Sequence, residues 1–153
     1  MNWKEYYQVH TMTAKEAVGH IKSGDRVVIA HACGEPSYLV DAMVANAAAY
    51  RDVEIVHMVA MGKGEYCKPE YAQNFRHNAF FVGASTREAI AEGRGDFTPS
   101  FFFEVPRQFS TTMPVDVAMV MVTPPDENGM CSLGVSVDYT LEAVKQAKTV
   151  IAQ

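Results

Sequence analysis

The sequence has little of what membrane, nucleic-acid or disulfide-scaffold proteins require. No apolar run reaches membrane-spanning length, and even the stretch 115–122 is broken by an acid, Asp116. The first ten residues, MNWKEYYQVH, mix acid and base and contain no apolar core of the kind a signal peptide needs. Cysteine is scarce: Cys33, Cys67 and Cys131 lie far apart with no CxxC pair. That argues against a zinc knuckle or a disulfide framework and for reduced thiols in a cytoplasmic setting. Positive charge is outnumbered, with 13 Lys and Arg against 18 Asp and Glu for a net charge of −5. The basic residues are scattered, so the clustered charge that neutralises nucleic-acid phosphates is missing. Gly62-Lys63-Gly64 is a bare GxG, and neither the Walker pattern nor the dinucleotide fingerprint is present. There is no internal repeat and no low-complexity linker.

What is there is a globular mixture, 48% apolar and 20% charged over 153 residues, enough for one core and one domain. Thr13 and Glu16 form a capping box that predicts a helix over 13–22, stopped by Ser23-Gly24-Asp25. The β-branched run 26–30 (RVVIA) predicts a strand, and the Ala-rich segment 38–49 a helix. Strands are further expected at 53–59, 78–82, 115–122 and 149–152, and helices at 69–74, 87–92 and 140–147. Strands separated by helices imply an α/β fold, a mostly parallel sheet with helices on both faces. The aromatic stretch 95–109 reads as packing, under a lid or at an interface. A parallel strand beginning just before Gln153 suggests a fragment of a longer protein.

In open parallel sheets ligands sit at the carboxyl ends of the strands. Four loops fall there: 31–37 (HACGEPS), 60–67 (AMGKGEYC), 83–86 (GAST) and 123–132 (TPPDENGMCS). Each carries glycine and three carry Ser or Thr, which suits close approach of backbone to a ligand or another domain. Asn128-Gly129 marks backbone at positive φ. Gly83 to Thr86 before a helix offers free N–H groups to a carboxylate or phosphate, or is a plain cap by Ser85 or Thr86 with Glu88. Glu35 and Glu65 stand on ligand-facing loops as possible acid, base or nucleophile, against the commoner solvated role. Cys33 beside His31 lacks an orienting third group and reads as a small packed thiol. His57 and His77 read as structural, while Met58 and Met61 could line an adaptable pocket.

Several segments carry a family resemblance: IKSGDRVVIAHACGEPSYLVDAMVANAAAY (21–50), HMVAMGKGEYCKPEY (57–71), STREAIAEGRGDFTPSFFFEVP (85–106), VDVAMVMVTPPDENGMCSLGVSVDYT (115–140) and AKTVIA (147–152). Across nearly its whole length the chain resembles the N-terminal half of the acetyl-CoA hydrolase/transferase family, the 4-hydroxybutyrate CoA-transferases in particular. The resemblance implies a CoA-transferase domain of the NagB/RpiA/CoA-transferase type over 1–153, paired with a second α/β half. It implies CoA transfer between a short acyl-CoA and acetate by covalent catalysis, through an acyl–glutamyl anhydride and a glutamyl–CoA thioester. No metal or organic cofactor is expected, coenzyme A being a substrate, and a homo-oligomer is expected. The nucleophilic glutamate is expected in the other half, and no catalytic residue in this one. The substrate-binding residues expected here, by loop position, are Gly34, Glu35, Pro36, Gly62, Lys63, Gly64, Glu65, Ser85, Thr86, Asn128, Gly129 and Ser132. Acyl-CoA hydrolysis and stand-alone binding of a small acid are the alternatives.

Overall fold

The computed structural model describes residues 2–153. Six strands form one sheet: β1 (Arg26–Ile29), β2 (Val53–His57), β3 (Phe75–Ala79), β4 (Gly95–Phe97), β5 (Val117–Val120) and β6 (Thr149–Ala152). Their spatial order is β4-β3-β2-β1-β5-β6, and every pairing is parallel. The chain walks outward from β1 to β4, then returns to the other side of β1 for β5 and β6. The direction of winding reverses between β1 and β5, which makes their carboxyl ends the topological switch point.

Helices cover both faces, as the alternation of strands and helices predicts. They are α1 (Trp3–His10), α2 (Ala14–Val18), α3 (Ser37–Ala45), α4 (Arg87–Ala91), α5 (Val105–Phe109) and α6 (Asp138–Gln146). The period-two alternation of strand side chains divides the core. Val27 and Ile29 point to one face with Ile55, Val117 and Met119, where Val18 of α2 and Leu39 and Met43 of α3 cover them. Val28, Val56, Ala118 and Val120 point to the other, under Val105 and Phe109 of α5 and Tyr139 and Ala143 of α6. Tyr139 spends its hydroxyl inside this core, donating to the Ile29 carbonyl at 2.8 Å.

Several boundaries differ from the sequence expectation. The Thr13–Glu16 capping box is formed, but α2 ends at Val18 because Ile21 leaves the helix to enter the core. The helix expected at 38–49 breaks at Asn46 into a single 3-10 turn, Ala47–Ala49, and the segment at 69–74 is likewise only a 3-10 turn at Pro69–Tyr71. The third strand lies at Phe75–Ala79 rather than 78–82, since Phe75 pairs with Val53 and fills the core while Phe81 turns out to solvent. The aromatic stretch holds β4, a 3-10 turn at Phe102–Glu104, and α5. α5 buries Phe109, and the three phenylalanines before it, Phe101 to Phe103, remain exposed.

Candidate active-site cleft

The loops after β1 and β5 meet at the switch point. Gly34 makes the meeting possible: a Cβ there would lie 2.5 Å from the Cβ of Ser136. Ser136 donates its hydroxyl to the His31 carbonyl at 2.6 Å. His31 in turn hydrogen-bonds through Nδ1 to Asp138 Oδ2 at 2.8 Å. Its ring is held edge-on by Phe102 and lies against Tyr139, each with centroids 5.5 Å away. Asp138 is thus the orienting group that the sequence around His31 lacks, brought from 107 residues away. With Nδ1–H given to the carboxylate, Nε2 accepts a proton or a hydrogen bond in the neutral ring and donates one when protonated. No hydrogen bond joins His31 to Cys33, whose thiol is exposed.

On the other side of β1 the loop after β2 is fixed by Glu35. This carboxylate is only 6% exposed. Its Oε2 accepts the backbone N–H of Met61 at 3.0 Å and of Gly62 at 2.8 Å. It also lies 4.0 Å from Nε2 of His57. His57 is buried and neutral: burial pushes its pKa down to about 3, with the nearby His77 adding to the effect. Its Nε2–H donates to the Ala30 carbonyl and its Nδ1 accepts from the Tyr66 hydroxyl, each at 3.1 Å. That pairing leaves no imidazolium to balance Glu35, so the two amides carry its charge.

The third junction joins the loops after β2 and β3. Gly64 is left-handed at φ +62°, and a Cβ there would meet the Ser85 carbonyl at 2.9 Å. Ser85 donates its hydroxyl to the Ala60 carbonyl at 3.1 Å. It therefore does not cap α4, and the box with Glu88 is not formed; Thr86 stands at the cap position without a side-chain bond. Thr86 is buried and its Oγ1 has no partner among the described residues. Lys63 reaches Asp41 at 3.1 Å on the surface, and Glu65 pairs with Lys68. The Cys67 thiol is pushed up to about 12 by burial and is chemically quiet.

The expected residues thus divide by place. Gly34, Glu35, Pro36, Gly62, Lys63, Gly64, Ser85 and Thr86 lie on adjoining loops at the carboxyl ends of β1, β2 and β3, with Glu65 following in the same segment. Asn128, Gly129 and Ser132 belong to an outer turn. There Asp126 Oδ1 accepts from Asn128 N and Met130 N, and Gly129, at φ +80°, packs under the indole of Trp3. Ser132 accepts from Gly134 N and donates its own N–H to Thr123. Among the described residues no three His, Cys, Asp or Glu side chains cluster as a metal site would need.

The sequence profile of the acetyl-CoA hydrolase/transferase N-terminal domain matches residues 1–153. The chain belongs to this family. It is 54% identical, over its full length, to a 4-hydroxybutyrate coenzyme A transferase of Clostridium kluyveri, and it spans 36% of that protein. Among solved structures, RipA from Yersinia pestis superposes with a TM-score of 0.92 at 26% identity, covering 99% of this chain and 38% of RipA. A 4-hydroxybutyrate CoA-transferase from Porphyromonas gingivalis superposes with a TM-score of 0.81 at 31% identity, covering 99% of this chain and 34% of the other. The chain spans little more than a third of each of these relatives.

Proposed function

We propose that this chain is the N-terminal domain of a CoA-transferase that moves CoA between a short acyl-CoA, 4-hydroxybutyryl-CoA or a close analogue, and acetate. The observation that carries the reading is the 54% identity to a 4-hydroxybutyrate coenzyme A transferase, sustained over the whole chain. In the proposed reaction a glutamate carboxylate attacks the acyl-CoA carbonyl, expelling the CoA thiolate and leaving an acyl–glutamyl anhydride. The thiolate attacks the glutamyl carbonyl, releasing the first carboxylate and forming a glutamyl–CoA thioester. Acetate then attacks that thioester, giving an acetyl–glutamyl anhydride and free thiolate, and thiolate attack on the acetyl carbonyl yields acetyl-CoA and restores the glutamate. Each step exchanges one activated acyl bond for another, which is what covalent catalysis offers over hydrolysis.

The nucleophile is proposed outside residues 1–153. Glu35, the buried carboxylate of this cleft, has one oxygen occupied by two amides, which supports a holding role. This half would supply the opposite wall of the cleft, through the loops that carry Gly34 to Pro36, Gly62 to Glu65 and Ser85 to Thr86. Neither a metal nor an organic cofactor is part of the proposal, and the enzyme is proposed to be a cytoplasmic homo-oligomer. The family description also includes hydrolases, which favours one second reading, water in place of acetate as the final acceptor.

The full-length protein, given 4-hydroxybutyryl-CoA and acetate, is expected to form acetyl-CoA and free 4-hydroxybutyrate in equal amounts. Thioester loss that is independent of added carboxylate would replace transfer by hydrolysis. No reaction with any short acyl-CoA and carboxylate pair would overturn both. The 153-residue chain by itself is expected to be inactive.

A further inference from the structure

We infer that Glu35 is a positioning residue that sets the loop 60–64 from beneath and thereby decides where Met61 and Lys63 stand. The kinetic part of this inference rests on the CoA-transfer reading; the structural part does not. The loop is anchored at both ends by neutral contacts. At one end Ala32 N donates to the Val59 carbonyl at 3.1 Å and Ser85 donates to the Ala60 carbonyl. At the other, left-handed Gly64 lies against the Ser85 backbone. Its backbone is held in the middle by Glu35, whose Oε2 takes the two successive amides of Met61 and Gly62, while the Lys63 side chain reaches Asp41 on the surface.

Glycine at 62 belongs to the same device. A Cβ there would lie 2.3 Å from Glu35 Oε1, so the carboxylate fits because that side chain is absent. The consequence lies on the outer side. With both amides turned inward to Glu35, the side chains of Met61 and Lys63 stand in solvent, Met61 67% exposed. The loop therefore presents a thioether and, beside Asp41, an ammonium group, and the inward carboxylate sets the backbone that carries them. Losing the carboxylate leaves the two part-buried N–H groups of Met61 and Gly62 without their acceptor, and the neutral His57 beside it offers no replacement charge.

The test uses the full-length protein with Glu35→Ala and Glu35→Gln. Hydrogen exchange of the peptide covering 60–64 is expected to rise roughly tenfold or more in Glu35→Ala, the ratio implied by losing a charge-assisted hydrogen bond. In Glu35→Gln, whose amide oxygen accepts from the same donors, the rise is expected to stay within about threefold. Unchanged exchange in Glu35→Ala overturns the inference whatever the enzyme's activity. In the kinetic arm, Glu35→Ala is expected to change the acetate-to-butyrate ratio of kcat/KM about tenfold, mainly through KM, and Glu35→Gln to restore it. Equal loss of kcat in both variants with the loop still protected would mean that the carboxylate itself meets the reactants, and would overturn positioning. A fall in melting temperature with an unchanged acceptor ratio would reduce Glu35 to ordinary stability, also overturning it. Should the wild-type protein transfer no CoA, the function reading fails and the exchange arm still decides this one.

Discussion

His57 and His77 lie on neighbouring strands, two residues out of register, and both are buried bases that the fold keeps neutral. Burial pushes their pKa values down to about 3 and about 4 from an ordinary value of 6.5. The unfolded chain takes up these protons near pH 6.5, whereas the folded chain refuses them until far lower. Stability contributed by the two groups is therefore whole above about pH 6.5 and is lost as the pH falls toward 4 and 3. Urea midpoints are expected to drop steeply between about pH 7 and about pH 5, with up to two protons taken up on unfolding. His77→Phe tests the assignment. His77 gives one hydrogen bond, to the Ile55 carbonyl, and its buried Nε2 has no partner among the described residues, so a phenyl ring forfeits little. The variant is expected to show a shallower acid slope over that window. An unchanged slope would move the cause to the carboxylates, of which Asp96 and Asp116 are held low by Arg76 and by Arg26 with Lys148.

At the scale of elements, the loop 60–64 is the piece whose shape is least tolerant of side chains. Gly64→Ala places a Cβ on left-handed backbone and 2.9 Å from a carbonyl oxygen that cannot move, at a cost of about 1–2 kcal/mol for the conformation alone. Gly62→Ala meets Glu35 Oε1 instead, and the carboxylate is fastened through its other oxygen, Oε2, by two amides, so overpacking of about 1–3 kcal/mol is expected. Thermal melts of the two variants check both values, and a Gly62→Ala protein as stable as wild type would mean Glu35 swings aside without loss. The composition of this loop was legible in the sequence as glycine beside a carboxylate at a strand end. The identity of the carboxylate's partners was not, because hydrogen bonds between loops of different strands leave no mark on local spacing. The same holds for His31 and Asp138, whose pairing depends on β1 and β5 being neighbours at the switch point. Long apolar elements were legible: β1, β5, α3 and α6 all lie where periodicity puts them, within a few residues. Short elements were missed where composition is dominated by something else. β4 has three residues, one a glycine whose missing side chain leaves room for Ile90 and the His77 backbone, and α5 is hidden among phenylalanines.

At the scale of the molecule, the sheet has one well-covered middle and one open flank. β6 pairs with β5 on one side only, and Val150 on it is 44% exposed. Beside it runs an apolar groove of about 530 Å³, lined by Val122, Leu133, Val137, Leu141, Val144 and Val150 among others. A short edge strand without charge next to an apolar groove is the arrangement that recruits another chain or another domain. Phe101 and Phe103, stacked on each other at 5.8 Å and both exposed, add a second apolar surface at the carboxyl-end side. The 153-residue chain in isolation is therefore expected to self-associate as its concentration rises, read by light scattering coupled to gel filtration. Val150→Lys puts a charge on the edge and is expected to weaken the association, while Phe103→Ser tests the aromatic surface separately. A monodisperse monomer that stays monomeric at roughly 100 µM would refute the expectation, since exposed apolar patches of this extent drive association at such concentrations. Loss of association with Phe103→Ser but not with Val150→Lys would place the sticky surface over the cleft. The β6 flank would then be a solvated edge, protected by its shortness alone.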